Sequence, residues 1–74
     1  MNNERRKLLA GAKDLIEQAR NLIESAKDEE QECFDNLPEG LQQSERGQLM
    51  EENVSNLESS MDSLDEVISC LDEI

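Results

Sequence analysis

From Leu8 onward the apolar positions recur with a seven-residue period, the pattern of a helix that buries one face against a neighbour. Leu8, Leu15 and Leu22 share one heptad position, Leu9, Ile16 and Ile23 a second, and Ala12, Ala19 and Ala26 a third. At about 100° per residue the alanines fall between the Leu and Ile rows. The stripe is therefore broad with a low centre, wider than a single two-helix seam requires. It weakens through Asp28, Glu29, Glu30, Gln31 and Glu32, and Cys33 and Phe34 then restore apolar character. The only proline, Pro38, disfavours a helical Leu37, and Gly40 two residues on can take positive φ, so the chain turns here. Pro38 also suits the start of a short helical turn capped by Asn36. Ser44 is a good N-cap for a second helix, with Glu45 well placed in its first turn.

The second helix carries a cleaner heptad, Met50, Val54, Leu57, Met61, Leu64, Ile68 and Leu71, widened only by Val67 and Ile74. Serines 55, 59, 60, 63 and 69 lie on or near its outer face. Serine is a mediocre helix former, so this helix depends on tertiary packing. The pattern predicts an all-α fold with a single domain over residues 1–74. It has a helix over about 3–35, a turn over about 36–44 and a helix over about 45–73. Together they make an antiparallel, coiled-coil-like two-helix hairpin.

Charge adds a register. Arg6, Lys13, Arg20 and Lys27 recur every seven residues on helix one, and Glu51, Glu58, Asp65 and Asp72 do so on helix two. Antiparallel packing pairs Arg6 with Asp72, Lys13 with Asp65, Arg20 with Glu58 and Lys27 with Glu51. The apolar layers expected beside them are Leu8 with Leu71, Leu15 with Leu64 and Leu22 with Leu57. A second set is Ala12 with Ile68, Ala19 with Met61 and Ala26 with Val54. Exposed pairs of this kind stabilise by only ~0.3–0.5 kcal/mol each, so they specify orientation more than they stabilise. One helix pair leaves part of the wide stripe uncovered, and two hairpins bury it by forming a homodimeric four-helix bundle.

Composition narrows the function. Charged residues are 35% of the chain and the net charge is −12. That balance opposes direct contact with nucleic acid or an anionic membrane, and favours a partner protein with a basic surface. No apolar run is long enough to span a bilayer. Arg5, Arg6 and Lys7 precede Leu8 and Leu9, but Lys13 and Asp14 interrupt the run too early for a secretory leader. The expected location is therefore the cytosol. In a hairpin, Cys33 lies by the turn and Cys70 by the open end, roughly several tens of ångströms apart at 1.5 Å per residue. They are expected to be reduced, half-buried small apolar residues rather than a disulfide.

Chemistry-bearing constellations are missing. The chain has no histidine, tyrosine or tryptophan, its two distant cysteines cannot form a zinc site, and no nucleotide-binding glycine pattern or nucleophile–base arrangement appears. A calcium loop begun at Asp35 puts Gly40 at position six but fails at Leu37 and Arg46. No cofactor and no enzymatic activity are expected. What remains is surface. Residues 28–52 hold nine acidic side chains against one basic, Arg46, together with Phe34, Leu37, Leu41 and Leu49. Glu30, Glu32, Phe34, Asp35, Leu37, Glu39 and Leu41 make the candidate partner-binding epitope, apolar groups ringed by carboxylates. The plainer reading is that Phe34, Leu37 and Leu41 form a small cap closing the turn.

The segment DEEQECFDNLPEGLQQSERGQLMEE, residues 28–52, resembles one found in small acidic helical proteins encoded by prophages of Gram-positive bacteria. There, too, an acidic stretch, an aromatic, an Asn-Leu-Pro turn and a Ser-Glu-Arg-Gly helix start sit between heptad helices. The resemblance implies a phage or prophage origin and carries over no functional residue. That family carries no assigned activity; small size, strong acidity and a rigid helical scaffold, taken with the implied origin, point to a non-enzymatic interaction protein that binds and modulates a host protein. Such a protein acts as an anti-defence inhibitor or, with Glu52, Asp62, Glu66 and Glu73 imitating phosphates, as a DNA mimic. The alternatives are an assembly bundle in phage morphogenesis and an oligomer that sequesters a small ligand between subunits.

Overall fold

A computed structural model describes every residue, 1–74, and contains helices and turns only. Helix α1 spans Asn3–Asp35, a single helical turn α2 spans Glu39–Gln42, and helix α3 spans Glu45–Asp72. Asn2 starts α1 from an extended backbone, its side-chain oxygen accepting the Arg5 N–H at 2.9 Å. At the other end the Asn36 and Leu37 N–H groups donate to Glu32 O and Phe34 O, each at 3.0 Å.

The reversal needs no left-handed residue. Leu41 and Gln42 donate to the Pro38 carbonyl at 2.8 and 3.0 Å, so Gly40 lies inside α2 and no glycine has positive φ. The role expected of Gly40 is thus corrected: proline starts a helical turn here, and that turn makes the bend. Pro38, not Asn36, precedes α2, with no side-chain cap. Ser44 then starts α3, its Oγ accepting from Gly47 N–H at 3.3 Å and donating to Leu41 O. Gly47 is buried because α2 closes directly onto it. A Cβ there would meet the Gln42 carbonyl oxygen, and would lie 2.5 Å from its carbon and 2.7 Å from Leu41 O.

The two long helices pack against each other along most of their length. Val54 and Met61 are the only buried hydrophobic side chains, at 7% and 8% exposure. Around them Met50, Leu57, Leu64, Ile68 and Leu71 of α3 and Leu9, Ile16 and Ile23 of α1 are half-buried. The leucine row of α1 is not used. Leu8, Leu15 and Leu22 stand 74%, 67% and 73% exposed, so the expected layers pairing them with Leu71, Leu64 and Leu57 do not form. Ala19 and Ala26 are exposed as well, which removes two of the three alanine layers. The physical reason is competition between two apolar faces of one helix. α3 lies on the Ile row, where the stems of Lys13, Arg20 and Lys27 also give cover.

The resulting rod measures 58 × 15 × 12 Å with a radius of gyration of 17.0 Å, against about 11 Å for a compact chain of this length. Its accessible surface of 5625 Å² exceeds the roughly 4,600 Å² typical of a compact protein of this mass.

Candidate functional site

One long edge of the rod is ionic. Lys13 pairs with Asp72, and Arg20 grips Asp65 with Nε at 2.6 Å and Nη2 at 3.3 Å while its Nη1 holds Glu24 at 2.9 Å. Lys27 binds its neighbour Asp28 at 2.6 Å and also feels the charge of Glu58. These contacts stabilise the cations. The hydrogen bond to Asp72 raises the Lys13 pKa, those to Asp65 and Glu24 raise that of Arg20, and that to Asp28 raises that of Lys27.

The antiparallel zipper therefore exists, but one heptad away from the expected register. Lys13 takes Asp72 rather than Asp65, and Arg20 takes Asp65 rather than Glu58. Arg6 donates instead to the carbonyls of Ile74 at 3.1 Å and Met1 at 3.4 Å, and Lys27 and Glu51 do not pair. Side chains on a helix lean toward its N-terminus. The long cations of α1 therefore reach toward the open end, while the carboxylates of α3 lean toward the turn. Lys13 and Arg20 thus each meet the carboxylate one heptad further along. Glu30 accepts from Asn53 Nδ2 at 2.8 Å, a polar rung nearer the turn.

The opposite face bears no charge over most of its length. On α1 it is built from Leu8, Leu15 and Leu22 with Ala12, Ala19 and Ala26, flanked by Gly11, Gln18 and Ser25. On α3 the heptad rows turned the same way carry Asn53, Ser60, Val67 and Ile74, then Asn56, Ser63 and Cys70. A shallow groove of about 470 Å³ near the turn shows that the two sets share a face, since Ala26, Cys33, Asn53 and Asn56 all line it, with Glu29 and Glu30 bringing charge to this end of the face. In a chain that is 35% charged, such a face does not arise from ordinary solvated surface. Both cysteines are free and exposed, a correction to the half-buried state expected of them. Their rows place them at the two ends of this face.

The turn end gathers the acidic epitope only in part. Phe34 and Leu37 are half-buried beneath Gln42, whose Nε2 donates to the carbonyls of both at 3.2 Å. They belong to the cap. Glu30 is half-buried and engaged by Asn53, and Asp35 accepts from Gln31 at 2.9 Å. Glu32 and Glu39 are exposed, and Leu41 and Leu49 stand 52% and 56% exposed beside them. Sequence reasoning missed Gln42 and Gly47. The signal for Gly47 was a glycine at the third position of a helix, where no turn requires one.

No three His, Cys, Asp or Glu side chains are grouped to hold a metal ion, and no helix is long and apolar enough to cross a membrane. No protein-family model, curated protein or solved structure matches the chain.

Proposed function

We propose that this chain is a non-catalytic protein-binding module. Two hairpins close on their charge-free faces into a four-helix bundle and carry their acidic turn ends outward to a partner protein with a basic surface. The observation that carries this reading is the charge-free face, with three leucines at least two-thirds exposed on a rod that buries only two hydrophobic side chains of its own. Burying a leucine contributes roughly 1.5–3 kcal/mol. A stripe of them left in water is therefore a large unused driving force for association.

At the turn, Glu32, Glu39, Leu41 and Leu49 offer exposed carboxylates around exposed apolar groups, an arrangement that steers and then holds a cationic surface. With the prophage-like central segment, this supports a phage-borne modulator of a host protein acting in the bacterial cytosol. The test is capture from bacterial lysate with the wild-type chain and with a Glu32→Lys, Glu39→Lys, Leu41→Ala variant. A basic protein retained by the first, released by salt and lost by the second is the expected result. Identical captured sets would remove the turn end from the account.

A further inference from the structure

We infer that the occupant of the α1 stripe is the α1 stripe of a second copy, running antiparallel about a twofold axis near residue 17. This rests on the reading of the hairpin as an assembly unit and fixes how the units join. Along α1 the stripe runs Arg5, Leu8, Ala12, Leu15, Ala19, Leu22, Ala26, Glu29 in steps of three and four. Reversing it about residue 17 sets Leu8 against Ala26, Ala12 against Leu22 and Leu15 against Ala19 of the second copy.

Every leucine then meets an alanine, which lets the helix axes approach closely while each leucine packs over a gap. The same operation sets Arg5 against Glu29 at both ends of the seam. The match is self-complementary, as a twofold contact requires. Slipping by one heptad keeps two of the three leucine–alanine pairings but breaks both end ion pairs, placing Arg5 on Leu22 or Glu29 on Ala12, so the charged ends select the register.

Charge along the helix agrees. Residues 1–13 carry four basic side chains and one acidic, whereas residues 24–35 carry six acidic and one basic. Antiparallel packing lays the basic end of each copy on the acidic end of the other, with Glu4 and Lys27 the two residues of the wrong sign. A parallel pair would stack like on like. Gly11, Gln18 and Ser25 keep the seam's outer flank free of charge.

The hairpin's own register extends the contact to α3. The pairs Lys13–Asp72, Arg20–Asp65 and Glu30–Asn53 put residue 17 of α1 about level with residue 67 of α3. Val67 thus lies near the twofold axis, with Ser60 and Ile74 one heptad to either side. Val67 and Ile74, 42% and 49% exposed in the single hairpin, become covered. The seam from Arg5 to Glu29 spans 25 residues of α1, about 37 Å at 1.5 Å per residue. A face of that length one to two helices wide approaches the ~800 Å² per partner of a standard interface.

Sedimentation equilibrium on Arg5→Glu and Glu29→Arg chains, alone and mixed, tests the register. Each variant alone meets like charge at both seam ends and dimerises roughly tenfold more weakly than wild type. Mixed in equal amounts they form a heterodimer with both ends complementary, restoring wild-type affinity to within about twofold. Circular dichroism of each variant checks that the helices persist. A second measurement avoids charge altogether, in chains whose Cys33 and Cys70 are replaced by Ser. Oxidation cross-links a mixture of Leu15→Cys and Ala19→Cys chains but neither alone. A wild-type dimer that mixing fails to restore, or cross-links in the unmixed samples, overturns the register and leaves the bundle standing. A wild-type chain that is monomeric at every concentration overturns both.

Discussion

At Gly47 two effects of opposite sign meet. Alanine is better than glycine within a helix by about 1 kcal/mol. The added methyl, however, would sit 2.5 Å from the Gln42 carbonyl carbon and 2.7 Å from Leu41 O, both backbone atoms that cannot move unless α2 lifts off α3. The clash wins. Gly47→Ala is expected to destabilise the chain by about 2 kcal/mol net, lowering the melting temperature by roughly 10 °C. A melting curve unchanged or shifted upward would show that α2 does not pack there.

Arg20 decides the ionic register at the same scale. Arg20→Glu should destabilise the hairpin measurably, and adding Asp65→Lys should recover part of the loss. Adding Glu58→Lys instead should recover clearly less. A double-mutant cycle in urea measures both, and a stronger rescue from position 58 would reinstate the register expected from the heptads alone. That expectation failed for a physical reason. Stripes repeating every seven residues match equally well at registers seven apart, and only the lean of side chains along each helix separates the choices.

Among the elements, α3 was legible almost completely. Its one heptad seam, Met50 to Leu71, is the seam it buries, and Ser44 caps it. α1 was legible as a helix but not as a packing partner, because it carries two apolar faces about 100° apart on the wheel. Composition does not reveal which one α3 covers. The leucines looked like core, yet the Ile row with its basic neighbours is what α3 covers. The turn was placed correctly from Pro38, which starts a short helical turn as expected, but Gly40 takes no positive φ and Asn36 does not cap that turn. Closure by α2 on Gly47 depends on a tertiary contact that no local pattern announces.

The two faces of α1 respond differently to the same change. Ile16→Glu puts a carboxylate into the hairpin seam and should abolish most of the helical circular dichroism. Leu15→Glu, one residue away, should leave the hairpin helical while removing its self-association. If both variants unfold, or both remain associated, the division of α1 into an inner and an outer seam is wrong.

For the whole molecule, charge sets the terms. Nineteen acidic residues against seven basic leave −12, and the exposed ion pairs offset little of the resulting repulsion. Screening therefore helps more than it harms. Raising sodium chloride from about 10 mM to about 500 mM shrinks the Debye length from roughly 30 Å to below 5 Å. The melting temperature should rise by several degrees, and a fall would mean that the ionic edge outweighs the surplus.

A dimer joined through the charge-free face, as proposed, would keep most of its carboxylates on the outside, where solvent and salt attenuate them. The most direct measurement is sedimentation equilibrium of the wild-type chain at about 150 mM salt over a hundredfold range of concentration. A mass of twice 8.4 kDa at the upper concentrations is predicted, and 8.4 kDa throughout would contradict the account.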